Sequence, residues 1–192
     1  MKKAIIVHGW GGSPEGDWYQ WLKKELEKKG FKVLIPEMPE TMFPKIEAWV
    51  SKLNQAAGEA DENTYFIGHS IGCQTILRYL EKLPANKKIG GAILVAGWFS
   101  LTENTWDENY TQEIALPWLE TKIDFEKVKE HTDKIIVFLS DNDPYIPLSD
   151  FRIFREKLDA DVIIENGKGH FSGEDGITKY PAILNKLLQI SK

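Results

Sequence analysis

Three polar residues in this chain have the types and order needed for acyl transfer: Ser70, Asp143 and His170. The strongest signal surrounds the serine. Gly68-His69-Ser70-Ile71-Gly72 matches G-x-S-x-G, follows the strand-like run Tyr65-Phe66-Ile67 and precedes a helical run from Cys73 to Leu80. This strand–turn–helix context is what raises a short pattern to a candidate nucleophile elbow. A serine on so sharp a turn brings neighbouring backbone close, and glycine on either side leaves room where a Cβ would collide. The turn also puts the hydroxyl at a helix N-terminus, where N–H groups and the helix dipole favour developing negative charge. The competing reading, that Ser70 is only a helix N-cap, leaves both glycines unexplained.

The partners follow later strands. Asp143 lies in Asp141-Asn142-Asp143-Pro144-Tyr145-Ile146-Pro147, after an apolar run at 135–139, and His170 in Gly167-Lys168-Gly169-His170-Phe171, after one at 162–164. A neutral imidazole takes the serine proton and returns it to the leaving group, while a carboxylate fixes its tautomer. Asp141 and Asp143 are both open as the third member. Asp143 is preferred because it sits further from the strand and precedes the Pro-x-x-Pro run. Asp150, Asp161, Glu165 and Glu174 are weaker rivals. Among the other histidines, His8 ends the first strand and reads as structural. His69 adjoins Ser70, so its side chain should point elsewhere, and His131 reads as surface.

His8-Gly9-Trp10-Gly11-Gly12, directly after the first strand, is either an ordinary tight turn or a source of backbone N–H groups for an oxyanion hole. The candidate donors are the N–H groups of Trp10 and Ile71. A nucleotide site does not fit: Pro14 occupies the third glycine position of G-x-G-x-x-G, and no Gly-Lys-Ser/Thr is present. The histidines are scattered and the single Cys73 offers no zinc spacing, so neither metal nor cofactor is expected. Trp10, Trp98, Tyr145 and Phe171 follow strands beside these candidates, with Phe99, Trp106 and Trp118 nearby. They predict an apolar, aromatic pocket for a small hydrophobic ester, with an amide or short peptide as the alternative.

The elements that must position these residues alternate regularly. Strand candidates at 4–7, 32–35, 65–67, 92–96, 135–139 and 162–164 are short and mostly aliphatic, as strands covered on both faces are. Helix candidates lie near 17–29, 43–58, 71–82, 148–158 and 177–190. The alternation predicts an α/β fold: one doubly wound, mostly parallel sheet of about six strands with helices on both faces, in flavodoxin-like layering. Pro147-Leu148-Ser149-Asp150 signals a helix start and Gly30 a helix stop. Residues 100–133 break the rhythm. They are too long for a bare loop, so helix is expected, and they read as a small lid over the carboxyl ends of the strands.

A chain of 192 residues fits one domain, and 42% hydrophobic with 28% charged residues is a globular composition. The net charge of −5 and the mixed-sign segment Lys23-Lys24-Glu25-Leu26-Glu27-Lys28-Lys29 argue against a nucleic-acid partner. The first apolar run is too short for a signal sequence and none is long enough to span a bilayer, so no membrane association and a cytoplasmic location are expected.

Taken together, the Gly-rich turn at 8–12, the elbow at 68–72, the 140–147 loop and Gly169-His170-Phe171 resemble the α/β-hydrolase superfamily. Within it, nearly the whole chain is similar to the small serine hydrolases of the retinoblastoma-binding protein 9 family. The resemblance implies a compact sheet of about six strands, a triad of Ser70, Asp143 and His170, and hydrolysis of ester- or amide-type substrates. It assigns no protein partner. The same residues would also serve a lyase, or acyl transfer to an acceptor other than water. A third reading is a non-catalytic interaction protein that keeps the fold. The presence of every triad type and both elbow glycines weighs against it.

Overall fold

Each aliphatic run forms a strand: β1 (Lys3–Val7), β2 (Lys32–Leu34), β3 (Thr64–His69), β4 (Gly91–Val95), β5 (Ile135–Ser140) and β6 (Asp161–Glu165). The computed structural model describes residues 1–106 and 111–192. The strands form one sheet in the order β2-β1-β3-β4-β5-β6, and every pair is parallel. β3, β4 and β5 are buried along their whole length, as strands between two helical layers must be, while the edge strand β6 is half-exposed.

The helices are α1 (Tyr19–Glu27), α2 (Ile46–Ala57), α3 (Ile71–Leu80), α4 (Thr111–Glu120), α5 (Phe125–Lys129), α6 (Phe151–Leu158) and α7 (Pro181–Ile190). α1 packs with α7 on one face, and α2, α3, α5 and α6 follow one another across the other. The strand order explains this division. From β1 the chain steps outward to β2, then reverses to β3 on the far side of β1, and right-handed crossovers send the two sets of helices to opposite faces. The carboxyl ends of β1 and β3 therefore diverge at a topological switch point, where doubly wound sheets bind ligands. Gly9 and Ser70 lie there.

The expected helix in 100–133 is present as a 3-10 turn at Glu103–Trp106, then α4 and α5. Its two ends are fixed by buried charges. At the start, the Asp150 carboxylate accepts the Phe99 and Ser100 N–H groups at 2.6 and 2.8 Å and the Ser100 hydroxyl at 2.5 Å. At the end of α4, the Arg78 guanidinium donates to the carbonyls of Trp118 and Thr121 and to Gln74 Oε1. Trp118 is core, not pocket wall: its ring lies edge-on to Trp49 and its Nε1–H donates to Pro44 O. His131 is likewise buried, not at the surface, because its Nδ1 bonds Lys87 O and the segment after α5 packs back onto the protein.

The elbow depends on how closely α3 approaches β1. A Cβ on Gly72 would lie 2.4 Å from Val7 O and 2.8 Å from His8 O. Gly72→Ala is therefore expected to cost about 1–3 kcal/mol, read as a lower urea midpoint; an unchanged midpoint would mean that α3 has room to move away from β1.

Candidate active site

Ser70 stands between β3 and α3 with φ 53° and ψ −123°, a conformation that is strained for a side-chain-bearing residue. Its backbone is pinned on both sides: its N–H donates to Val95 O, and its carbonyl accepts the Cys73 N–H, both at 2.9 Å. A Cβ on Gly68 would lie 2.8 Å from Cys73 N, so α3 can double back over β3 only above a glycine. The serine side chain makes no capping hydrogen bond, which sets the N-cap reading aside. Ser70 lines a cleft of about 740 Å³ together with His170. The neighbouring thiol of Cys73 is buried and donates to Val95 O; burial pushes it far up, so it is no rival nucleophile.

The two aspartates after β5 have separate tasks. Asp143 Oδ2 lies 2.9 Å from His170 Nδ1, and its other oxygen accepts the N–H groups of Tyr145 and Ile146. A carboxylate oxygen only accepts, so Nδ1 carries the proton and Nε2 of the neutral ring is left as a base. Asp141 turns instead to the Gly167 N–H at 2.8 Å. It belongs to a seam that joins the loops after β5 and β6: Ser140 Oγ accepts the Lys168 N–H, and Asn142 Oδ1 accepts the Gly169 N–H. Asp175 then receives the N–H groups of His170 and Ser172 and the Ser172 hydroxyl. Gly169 must be glycine here, with φ +53° and the Asp175 carboxylate where its Cβ would stand.

The turn after β1 is held open by its own bonds. Gly11 N–H donates to Thr41 O and Trp10 Nε1–H to Met42 O. Neither the Trp10 nor the Ile71 backbone N–H has a protein acceptor among the described residues. His8 braces this turn from below: Nδ1 bonds Gly9 O and Nε2 accepts the Met38 N–H. Burial lowers its pKa, which suits the neutral tautomer those two bonds require.

Trp10, Trp98 and Tyr145 line the cleft, and Tyr145 stands edge-on to the His170 ring at 5.2 Å. Phe171 does not. Its φ of 57° turns the side chain inward, where it is fully buried against Tyr180, so the expectation of a pocket role is corrected. Phe99 packs on Phe154 and Phe125. Of the described residues in 100–133, Leu101, Asn104, Thr105 and Thr111 border the cleft, and residues 107–110 of the expected lid lie outside the described residues. Asp17, Glu174 and Asp175 also line it, with no Lys or Arg among the described residues.

One group escaped the sequence reading. His69 does not point away from the site: its buried ring packs 5.2 Å from that of His170 and its Nε2 lies 2.7 Å from the His170 carbonyl. Its Nδ1 lies 2.6 Å from Tyr19 Oη and 3.5 Å from Asp17 Oδ2. No motif marks Asp17 or Tyr19, which only the fold brings to His69.

Residues 4–189 match the family described as "Serine hydrolase". The chain belongs to the serine hydrolase family. The enzyme family's relatives include YdeN of Bacillus subtilis (strain 168), to which this serine hydrolase is 33% identical over 187 residues, covering 97% of this chain and 94% of the relative. The crystal structure of the B. subtilis ydeN gene product superposes with a TM-score of 0.89, covering 99% of this chain and 98% of that one. Serine hydrolase RBBP9 of Rattus norvegicus is 31% identical over 178 residues, 90% of this chain and 89% of its own. Est1E from Butyrivibrio proteoclasticus, 16% identical, shares the fold with a TM-score of 0.67 over 97% of this chain and 88% of that one.

The electrostatics beside His170 in this serine hydrolase bear on pH. Burial alone would push the Asp17 carboxyl up, but the contact with His69 and the Gly173 N–H pull it down from 3.8 to about 2. The ionised form is thus bound to the fold. Its contribution is complete above its unfolded value and disappears as pH falls from 3.8 through about 2. Asp17→Asn is expected to lower stability by on the order of 1–2 kcal/mol near pH 6, and the gap should close toward pH 2 in urea titrations. A gap of equal size at both pH values would contradict this.

Proposed function

We propose that this serine hydrolase cleaves small, uncharged or cationic hydrophobic carboxylic esters, with Ser70 as nucleophile, His170 as general base and acid, and Asp143 orienting the histidine. The observation that carries the reading is the uncapped Ser70 hydroxyl, held on a strained turn in the same cleft as an imidazole whose Nδ1 is taken by a buried carboxylate. His170 Nε2 takes the serine proton as Oγ attacks the ester carbonyl. The carbonyl oxygen gains negative charge, and the Trp10 and Ile71 N–H groups receive it. His170 then passes the proton to the departing alcohol, leaving an acyl-Ser70. Water, deprotonated by the same Nε2, attacks that ester, and His170 returns the proton to Ser70 Oγ as the acid leaves.

Trp10, Trp98 and Tyr145 give the substrate an apolar wall, and Leu101, Asn104, Thr105 and Thr111, from the segment 100–133 read as a lid, border it. Lining carboxylates without a Lys or Arg among the described lining residues disfavour an anionic acyl group. Cys73, free and buried, suits the reducing cytoplasm expected from the sequence.

Intact-mass analysis after fluorophosphonate treatment tests the chemistry. One adduct is expected on the wild type and none on Ser70→Ala, while Asp143→Asn should react about 10²–10⁴-fold more slowly. A folded wild type that forms no adduct would overturn the reading. For substrate class, p-nitrophenyl butyrate should be hydrolysed at least about tenfold better in kcat/KM than the equally long but anionic p-nitrophenyl hemisuccinate. Equal rates would remove the charge argument.

A further inference from the structure

We infer that His69 is a positioning residue for the base: its ring Nε2–H holds the His170 backbone carbonyl and ties the His170 loop to α1 and to the turn after β1. The inference rests on the reading of His170 as the base, and assigns the residue next to the nucleophile a task that the triad leaves unassigned.

A backbone carbonyl only accepts, so at 2.7 Å from His170 O the Nε2 of His69 must carry a proton. In the neutral ring Nδ1 is then bare and accepts a hydrogen bond from the Tyr19 hydroxyl at 2.6 Å, while Tyr19 Oη accepts the Gly9 N–H at 3.4 Å. One hydrogen-bonded line therefore runs from the turn that presents Trp10, beneath Ser70, to the loop that presents His170. In the protonated ring Nδ1–H turns to Asp17 Oδ2 or Tyr19 Oη instead, and the Nε2–H bond is unaffected. The hold on His170 is thus indifferent to the charge on His69.

The residues leading into α1 grip the same loop twice more. Trp18 Nε1–H donates to Phe171 O at 3.0 Å, and Asp17 Oδ1 accepts the Gly173 N–H at 2.6 Å. These contacts fix residues 171 and 173, but His69 alone of the three bonds residue 170 itself. Asp143 sets the orientation of the His170 ring; Asp175 holds its backbone N–H, and His69 holds its carbonyl. A shift of about 1 Å at a reacting group costs on the order of 10²-fold in rate.

The test compares His69→Gln, whose amide nitrogen can stand where Nε2 does, with His69→Asn, whose shorter amide cannot reach His170 O. Folding is checked by circular dichroism and urea titration. The rate of fluorophosphonate labelling and kcat per labelled site for p-nitrophenyl butyrate are the readouts. His69→Asn should fall about 10²-fold in both with KM little changed, and His69→Gln should recover to within about tenfold of wild type. A purely structural role would lower the labelled fraction and leave kcat per labelled site intact, which would overturn the inference, as would a Gln variant as slow as Asn. In the wild type, histidine-selective ¹⁵N NMR should show a protected His69 Nε2–H at both pH 5 and pH 8. Its absence would overturn the inference even if neither variant folds. A wild type that is not labelled at all would instead overturn the function reading, with the NMR result still reporting on the His69 contact.

Discussion

Three stretches of backbone converge within about one van der Waals contact around the start of α3, and the rest of the site is arranged to tolerate it. Val7 O and His8 O of the first strand and its turn stand where a Cβ of Gly72 would go, and Cys73 N stands where a Cβ of Gly68 would go. Ser70, between them, is left with φ 53°. A residue held there costs on the order of 1–3 kcal/mol. That strain persists because the buried strands on either side, β1 and β4, are clamped in a fully parallel ladder and cannot relax outward. The same crowding that strains the serine keeps its hydroxyl off the helix end and turned to the cleft.

With Ser70, the proposed nucleophile, fixed by packing, the other proposed groups are fixed by side chains that bond backbone. Ser140, Asp141, Asn142, Asp143, Asp150 and Asp175 each accept from main-chain N–H groups of loops at the carboxyl edge of the sheet. Each such bond contributes only about 1 kcal/mol net to stability. Their larger effect is geometric. Loops 141–147 and 166–175 are anchored in the core by Ile146 and Phe171, and these side-chain-to-backbone bonds fix the turns between. This explains why so many acidic residues lie near one cleft although only Asp143 meets the histidine ring.

Much of this was legible in the sequence, for identifiable reasons. The strands were readable because burial on both faces demands unbroken aliphatic runs, and the elbow because G-x-S-x-G sat between a strand and a helix. The preference for Asp143 over Asp141 rests on its distance from the strand and on the Pro-x-x-Pro run that follows it. The structure shows why both are aspartates: Asp141 serves the loop seam and Asp143 the ring. Phe171 follows a strand beside His170 in sequence, which suggests the pocket, but it does not line the cleft. Its positive φ, set by the turn through Gly169, reverses the direction of the side chain. Trp118 was read as lid because segment 100–133 has no strand, but Arg78, from a helix some forty residues earlier, draws the end of α4 into the core.

His69 marks a different kind of limit. Adjacency to Ser70 predicts a side chain that points away from the site. Its ring instead lines the same cleft as Ser70, where the loop carrying His170 meets it. The partners of its ring lie 50 residues earlier and 101 residues later in the chain. No local pattern encodes such a meeting, because Asp17, Tyr19 and the His170 carbonyl each have ordinary surroundings in sequence. What a sequence motif carries is the chemistry that a residue performs with its own side chain. A residue that acts by holding another's backbone is specified by the path of the chain, and that path is visible only once the sheet has closed around the site.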